Sequence, residues 1–338
     1  MSSNQNWYRG ARCNCSGNEL HYTLERHGKE FESMDIRELV KEYVLECELR
    51  RYSKRTVVGR RNRLNQFADW CDENGIKGID EISLAIVKRY AKHQTDKGLK
   101  GSTVNCYLKT VKFLCQYAYE SGYATFNTKN NWFYVKEQKP VIKVFEDDDV
   151  KQLIKNCNDG RTAPAHKFKS HRDKTILYTF IETGIRCMEL TDIRLKDVNL
   201  EQGYITIKGK GNRIRLVAIT KPLAKQLMIY MRERDKFFPD TKEEWLFLSV
   251  YGKKLDDGSV ADIFRRRGKG IKTEARMSPH TCRHYWTKTS VKNGMSIVVI
   301  QRQLGHVNLS ITENYLASLT SMDIINIAKE ASVLMSIR

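Results

Sequence analysis

The hydrophobic positions between residues 33 and 135 repeat at helical spacing. The first segment keeps apolar side chains at i, i+3, i+4 and i+7 from Ile36 to Val44, and three later segments repeat this pattern. Ser53 is suited to cap the second segment, and glycines follow the third and fourth. The pattern predicts four amphipathic helices that pack as a small bundle.

Helical and strand patterns alternate after residue 146. Two β-type runs, at 204–208 and 213–220, flank Gly209-Lys210-Gly211-Asn212, which predicts a hairpin with Lys210 near its tip. Before the hairpin, residues 158–172 are predicted to form a loop with solvated cations, and Asp173 is predicted to cap the next helix. The predicted fold class is mainly α with a small β-sheet (α+β).

The last 60 residues are predicted to be helical. One helix begins near residue 281, and a second runs from Ser296 to a stop at Gly305. Ser310 and Glu313 have capping-box spacing for a third helix, which contains Tyr315.

The charged, proline-interrupted stretch 136–146 has no helical period and predicts a linker between two domains. The chain then divides into a polar N-terminal arm (1–32), a helical domain (33–135), the linker (136–146), a second domain (147–320) and a C-terminal helix (321–338).

The charge balance favours a polyanionic partner. The chain has 59 Lys and Arg against 40 Asp and Glu, a formal net charge of +19. Nucleic acid is the first candidate, and a merely basic protein without such a partner is the plainer alternative. No run of 18 apolar residues and no signal-peptide pattern occurs, so no membrane and a cytoplasmic location are expected.

The nine cysteines are scattered and odd in number, which fits a reducing compartment. Cys13 and Cys15, with His21 and His27 nearby, depart from the usual zinc-ligand spacings. A disordered or loosely docked arm is therefore expected there instead of a metal site.

The second predicted helix and the turn before it are rich in cations. Such a face is usually only solvated, but residues 50–63 contain no carboxylate, whereas a helix that needs only solubility would mix signs. Contact with phosphates is therefore favoured. The candidate residues are Arg51, Lys54, Arg55, Arg60, Arg61 and Arg63.

A second set of residues has the chemistry to handle a phosphate: arginines can grip nonbridging oxygens, lysine and histidine can move protons, and tyrosine can attack phosphorus. Each has a plainer explanation by itself, and Tyr315 alone is more typical of a buried core tyrosine. The set comprises Arg186, Lys210, His280, Arg283, His306 and Tyr315.

Together these residues lie in motifs that resemble the tyrosine recombinase family, which includes phage integrases and Xer-like site-specific recombinases. The motifs are Thr183-Gly184-Ile185-Arg186-Cys187-Met188-Glu189-Leu190, Gly209-Lys210-Gly211-Asn212, Ser278-Pro279-His280-Thr281-Cys282-Arg283-His284, Leu304-Gly305-His306 and Tyr315. Their order and spacing agree with the family from about residue 173 to 320. The resemblance implies that 33–135 is a core-binding domain for DNA and that 147–320 is the catalytic domain.

The resemblance also implies a role for each residue. Tyr315 would attack the scissile phosphate and form a 3′-phosphotyrosyl bond, while Arg186 and Arg283 clamp the nonbridging oxygens. Lys210 would protonate the leaving 5′ oxygen, His280 would assist proton transfer at the tyrosine, and His306 would donate a hydrogen bond to the phosphate. Glu189 matches the supporting acid of the family.

No metal or nucleotide cofactor is expected, since the fixed cations meet the developing charge and no GxxxxGK[ST] loop occurs. Exchange between two DNA duplexes implies four subunits, with the C-terminal helix as a docking element in trans. Integration, excision and dimer resolution all stay open, as does an accessory DNA-bending or directionality protein. The alternatives are a type IB topoisomerase-like enzyme and a non-catalytic architectural protein that binds DNA.

Overall fold

The structure is a computed structural model that describes residues 34–129, 131–137, 143–158, 160–209 and 213–305. The chain divides into two compact units, Met1–Pro140 and Val141–Arg338. The finer segment limits predicted from the sequence stay predictions. Within the described residues, no helix has the length and apolar character needed to cross a membrane.

The first unit is a helical bundle, as the apolar spacing predicted. Asp35 caps α1 and Ser53 caps α2, each by accepting a hydrogen bond from a backbone amide of the first turn. The helices are α1 (Ile36–Leu49), α2 (Lys54–Glu73), α3 (Leu84–Asp96) and α4 (Gly101–Ser121). Their apolar faces meet in one core, in which Leu39, Leu64 and Leu108 are fully buried.

The second unit is mainly helical around a small sheet, so the predicted α+β class is confirmed. Its helices are α5 (Asp147–Lys155), α6 (Pro164–Thr183), α7 (Cys187–Thr191), α8 (Lys221–Phe237), α9 (Asp257–Arg267), α10 (Pro279–Lys292) and α11 (Ile297–Leu304). The main core contains Ile176, Phe180, Leu227 and Phe264.

The sheet has three antiparallel strands in the order β1-β2-β3, namely β1 (Val198–Asn199), β2 (Tyr204–Lys208) and β3 (Ile214–Ala218). The predicted hairpin strands pair, with Ile205 opposite Val217 and Lys208 opposite Ile214. The sequence pattern did not reveal β1, which contributes only two residues. Lys210, in the predicted turn, lies outside the described residues.

The predicted start of α6 was wrong. The helix begins at Pro164 and extends through much of the stretch that was predicted to be a loop. Asp173 is therefore not a cap but a fully buried carboxylate inside the helix, where Arg172 and Arg267 both donate to it. Arg172 is itself 4% exposed, so it is not a solvated cation. The carboxylate is needed there because a buried guanidinium without a partner is strongly unfavourable.

A small separate core joins α10 to α11. Trp286 and Val291 from α10 pack with Ile300 and Leu304 from α11. Gly184, which ends α6 with a φ of 61°, fits against this core because it has no side chain. A Cβ atom there would lie 2.8 Å from Trp286 and 2.9 Å from Leu304. The end of α6, the middle of α10 and the end of α11 therefore meet at one place.

Candidate active site

Arg186 lies at the break that the glycine signal predicted. It follows Gly184 and precedes the first turn of α7, where its backbone amide donates to Glu189 Oε2 at 2.9 Å. Its guanidinium Nη1 donates to Glu189 Oε1 at 2.9 Å. The side chain is 44% exposed, whereas that of Glu189 is 6% exposed. Glu189 thus holds an arginine whose outer face remains open to solvent.

Arg283 is the buried partner of Arg186. It lies on α10, one turn after His280, and is 4% exposed. Its Nη1 donates to the Gly184 carbonyl at 2.7 Å, and its Nη2 donates to the Leu304 carbonyl at 2.8 Å. Arg186 Nη1 also donates to the Leu304 carbonyl, at 3.3 Å. Two guanidiniums from distant parts of the chain therefore converge on a single oxygen atom.

His280 has a pKa below the usual value for histidine. Burial is the main cause, and the charges of Arg283, Arg186 and Arg276 add to it. Its ring makes an edge contact with the ring of His284, with the centroids 4.2 Å apart. His280 is therefore neutral near pH 7 and able to accept a proton.

Glu189 is the most strongly bonded acid of the site. Burial would raise its pKa, but hydrogen bonds from Arg215 and Arg186 outweigh burial and lower the pKa below the usual value. Arg215 donates to Glu189 Oε1 at 3.0 Å and to Oε2 at 2.7 Å, and its Nε donates to the Gln303 carbonyl at 2.8 Å. Glu189 is therefore a carboxylate shared by two arginines.

Sequence reasoning missed Arg215, although a signal was present. Alternation along β3 puts Arg215 on the same face as the buried Val217, opposite the exposed Ile214 and Leu216. An arginine on the inner face of a strand needs an acidic or carbonyl partner. That requirement could have connected Arg215 with Glu189.

The structure brings together four of the predicted site residues, Arg186, Glu189, His280 and Arg283. Lys210, His306 and Tyr315 lie outside the described residues. Two described neighbours lie beside the ion pair of Glu189: a Cβ atom on Gly209 would be 3.6 Å from Glu189 Oε1, and one on Gly305 would be 3.1 Å from Arg215 Nη1. Within the described ranges, no group of three or more His, Cys, Asp or Glu side chains could hold a metal ion.

The predicted phosphate-contacting cations of the first unit differ in their surroundings. Arg51, Lys54 and Arg55 are exposed, while Arg61 pairs with Glu48 at 2.9 Å. Arg63 and Arg60 are half-buried. A cleft of about 340 Å³ between α2 and α4 is lined by cationic and small side chains, which include Arg55, Arg60, Arg63, Lys109 and Thr56.

Arg60 is held by aromatic rings. Its guanidinium lies 4.6 Å from the ring centroid of Tyr52 and 4.7 Å from that of Phe113. Nη1 also donates to the Tyr43 hydroxyl at 2.7 Å. Among the six candidates for phosphate contact, Arg60 therefore has the most evident structural role.

Comparisons with known proteins place this architecture in a family. Residues 143–322 match the phage integrase family, and residues 36–122 match the phage integrase N-terminal SAM-like domain. The first match alone spans more than half of the chain. The chain belongs to the phage integrase family. It is a tyrosine recombinase, an enzyme that breaks and rejoins DNA strands at specific sites.

Individual relatives of this integrase are distant but cover most of it. The chain is 28% identical to tyrosine recombinase XerD of Staphylococcus epidermidis over 264 residues, which are 78% of this chain and 88% of the relative.

Two solved structures share its fold. One is the Tn1549 transposon integrase in complex with a circular intermediate DNA, with a TM-score of 0.68, 17% identity and coverage of 89% of this chain and 100% of that chain. The other is XerH recombinase bound to difH substrate, with a TM-score of 0.63, 18% identity and coverage of 84% and 82%.

Proposed function

We propose that Tyr315 is the nucleophile of this recombinase and that Arg186 and Arg283 bind the scissile phosphate. The observation that carries the proposal is the convergence of the two guanidiniums on the Leu304 carbonyl. Groups that share one acceptor atom are close enough to share one phosphate, and arginine forks suit its nonbridging oxygens. The phosphate would approach Arg186 from its solvent-exposed side, since the side chain is half-exposed.

The DNA phosphate is transferred from the 5′ oxygen to the enzyme, and rejoining returns it. The Tyr315 oxygen attacks phosphorus and forms the 3′-phosphotyrosyl bond, and the bond from phosphorus to the 5′ oxygen breaks. Neutral His280 receives the tyrosine proton, Lys210 gives a proton to the 5′ oxygen, and His306 donates a hydrogen bond to the phosphate. The arginines stabilise the charge that develops on the pentavalent phosphorus, so the reaction needs neither a metal nor a nucleotide.

Rejoining is the reverse of cleavage. A 5′ hydroxyl attacks the phosphotyrosyl bond and releases Tyr315, so the energy of the broken DNA bond is retained throughout. Exchange between two duplexes then takes four subunits, and we assign to residues 321–338 the role of docking on a neighbouring subunit. An accessory DNA-bending or directionality protein would bias the outcome, and a cytoplasmic, nucleoid-associated location follows from the DNA substrate.

The helical unit would bind the phosphates of the DNA. Support comes from the exposed Arg51, Lys54 and Arg55 at the start of α2 and from the cationic cleft between α2 and α4. Arg61 and Arg63 extend this surface along the helix. These side chains are suited to phosphates, which fix position on the duplex without reading its sequence.

Covalent capture tests the proposal and finds the target at the same time. A library of nicked duplexes with randomised centres is incubated with the full chain, and DNA that stays bound to denatured protein is sequenced. A nick a few nucleotides to the 3′ side of the scissile bond lets the short fragment with the new 5′ hydroxyl diffuse away, so the adduct cannot be rejoined. Wild-type protein is expected to capture a common sequence, and Tyr315→Phe is expected to capture none. Equal behaviour of the two proteins would overturn the assignment of Tyr315.

A further inference from the structure

Arg215 connects three chain segments around the site. It lies on β3, and its side chain is 14% exposed. All three of its nitrogens are used: Nη1 and Nη2 donate to the two oxygens of Glu189 on α7, and Nε donates to the Gln303 carbonyl in the last turn of α11. The strand, the start of α7 and the end of α11 are thus held together by one guanidinium.

This arrangement leaves Glu189 only partly available to Arg186. Arg215 forms the paired, fork-like contact with both carboxylate oxygens, whereas Arg186 gives Glu189 one guanidinium nitrogen and its backbone amide. The other terminal nitrogen of Arg186, Nη2, has a long contact of 3.4 Å with the Gly305 carbonyl. A carboxylate and a guanidinium favour the two-bond pair when nothing competes for it. Arg215 is the competitor here.

We propose that Arg215 is a positioning residue that keeps Arg186 available for the scissile phosphate. By holding both oxygens of Glu189 and the Gln303 carbonyl, it prevents Arg186 from turning fully onto the acid. The inference rests on the proposed role of Arg186 in phosphate binding. Without Arg215, Glu189 would be a buried carboxylate with Arg186 as its remaining guanidinium partner, and the two would close into a two-bond pair that occupies the Arg186 nitrogens proposed to bind the phosphate.

The test is Arg215→Met, with single-turnover cleavage measured on the nicked duplex recovered by covalent capture. At saturating DNA the cleavage rate is expected to fall about 10²-fold, the size of effect that a displacement of about 1 Å at a reacting group can have. The dissociation constant for DNA should change less than about threefold, since phosphate contacts along the whole duplex set the affinity. A variant that cleaves at the wild-type rate would overturn the inference.

Arg267→Met is the matched control for loss of a partly buried ion pair. Arg267 is 12% exposed, and its Nε and Nη2 both donate to Asp173 Oδ2, so it too pairs with a buried carboxylate through two nitrogens. Arg267→Met should lower the melting temperature but leave the cleavage rate of the folded protein unchanged. An equal loss of cleavage in the two variants would mean that Arg215 only supports the fold. If Arg215→Met shows no thermal transition, Arg215→Lys replaces it, because lysine retains the charge but cannot form the fork, and should cleave about tenfold more slowly.

A double variant separates positioning from simple stabilisation. If Arg215 acts by restraining Glu189, then neutralising the acid should relieve the defect, and Glu189→Gln/Arg215→Met should cleave faster than Arg215→Met alone. If the loss of cleavage rate in the double variant equals the product of the losses in the two single variants, the inference is overturned. Failure of wild-type protein to form any adduct would overturn the proposed function and the inference together, whereas normal wild-type adduct with an unaffected Arg215→Met would overturn the inference alone.

Discussion

The two arginines of the site differ in what else they do. Arg186 is half-exposed, while Arg283 is buried and satisfies the carbonyls of Gly184 and Leu304. Replacing either by glutamine removes a donor to the transition state and should slow cleavage about 10²–10³-fold. Only Arg283→Gln should also destabilise the fold, by about 2 kcal/mol, because it removes a hydrogen bond to the buried Gly184 carbonyl and the shorter of two to the Leu304 carbonyl. Urea denaturation beside single-turnover cleavage measures both, and an equal loss of stability in the two variants would contradict this division.

His284 gives the fold a dependence on pH. Burial, with the nearby His280 and Arg283, lowers the pKa of His284 to about 4, whereas an unfolded chain returns it to about 6.5. The folded state binds this proton less readily, so the stability contribution is complete above about pH 6.5 and is lost as pH falls toward about 4. His284→Gln should therefore lose less unfolding free energy than wild type between about pH 7.5 and about pH 5. Identical losses in both proteins would show that His284 protonates normally when folded.

At the residue scale, the sequence pointed to those candidates that have a local signal, and their catalytic roles stay predictions. Arg186 follows a glycine break and Arg283 stands one helical turn after His280, and both were singled out because these motifs together resemble those of the tyrosine recombinase family. Arg215 was missed because its partners, Glu189 and the Gln303 carbonyl, are distant in sequence and only the fold brings them together. Asp173 was misassigned for the same reason, since Arg267 stands 94 residues away.

At the scale of elements, the glycine that ends α6 determines where the site can form. Gly184 has a φ of 61°, and a Cβ atom there would overlap Trp286 and Leu304. Gly184→Ala should therefore lower the free energy of unfolding by about 2–4 kcal/mol, because of the left-handed backbone together with overpacking. It should also slow cleavage, because Arg283 and Arg186 both bond to groups at this junction.

Gly294 provides the matched control at the end of α10. Its φ is 77°, but a Cβ atom would meet nothing within 4 Å. Gly294→Ala should lower the free energy of unfolding only by the cost of a left-handed backbone, about 1–2 kcal/mol, and should leave the cleavage rate unchanged. Urea titration of the two variants measures the difference. If they are equally destabilised, the packing around Gly184 contributes nothing.

Helices were the elements most readily predicted from the sequence, because a buried stripe repeats within a few residues. The stripe of α1 and the Ser53 cap of α2 are both local features. β1 was missed because two residues carry no period, and the start of α6 was misplaced because a buried acid inside a helix has the same residue type as a cap. What distinguishes the two is burial by other elements.

At the scale of the whole molecule, the charge of +19 has to act through particular surfaces, and we propose that the exposed start of α2 is one of them. A cation that contacts a phosphate releases a counterion, so its removal should reduce the slope of log affinity against log salt by about 1. Lys54→Ala and Arg55→Ala are expected to do so. Arg61→Ala should have a smaller effect, because Arg61 is already paired with Glu48.

Replacement of Arg60 tests whether this arginine serves DNA binding or the stability of the helical unit. Its guanidinium lies against Tyr52 and Phe113 and donates to Tyr43, so it joins α2 to the neighbouring helices in the absence of DNA. Arg60→Ala should lower the stability of the helical unit by about 1–2 kcal/mol, whereas Lys54→Ala should leave stability unchanged. Thermal melting without DNA and salt titration with the captured duplex separate the two effects. If Arg60→Ala reduces the slope of log affinity against log salt by about 1 and leaves the melting temperature unchanged, the aromatic contacts serve only to orient Arg60 toward DNA.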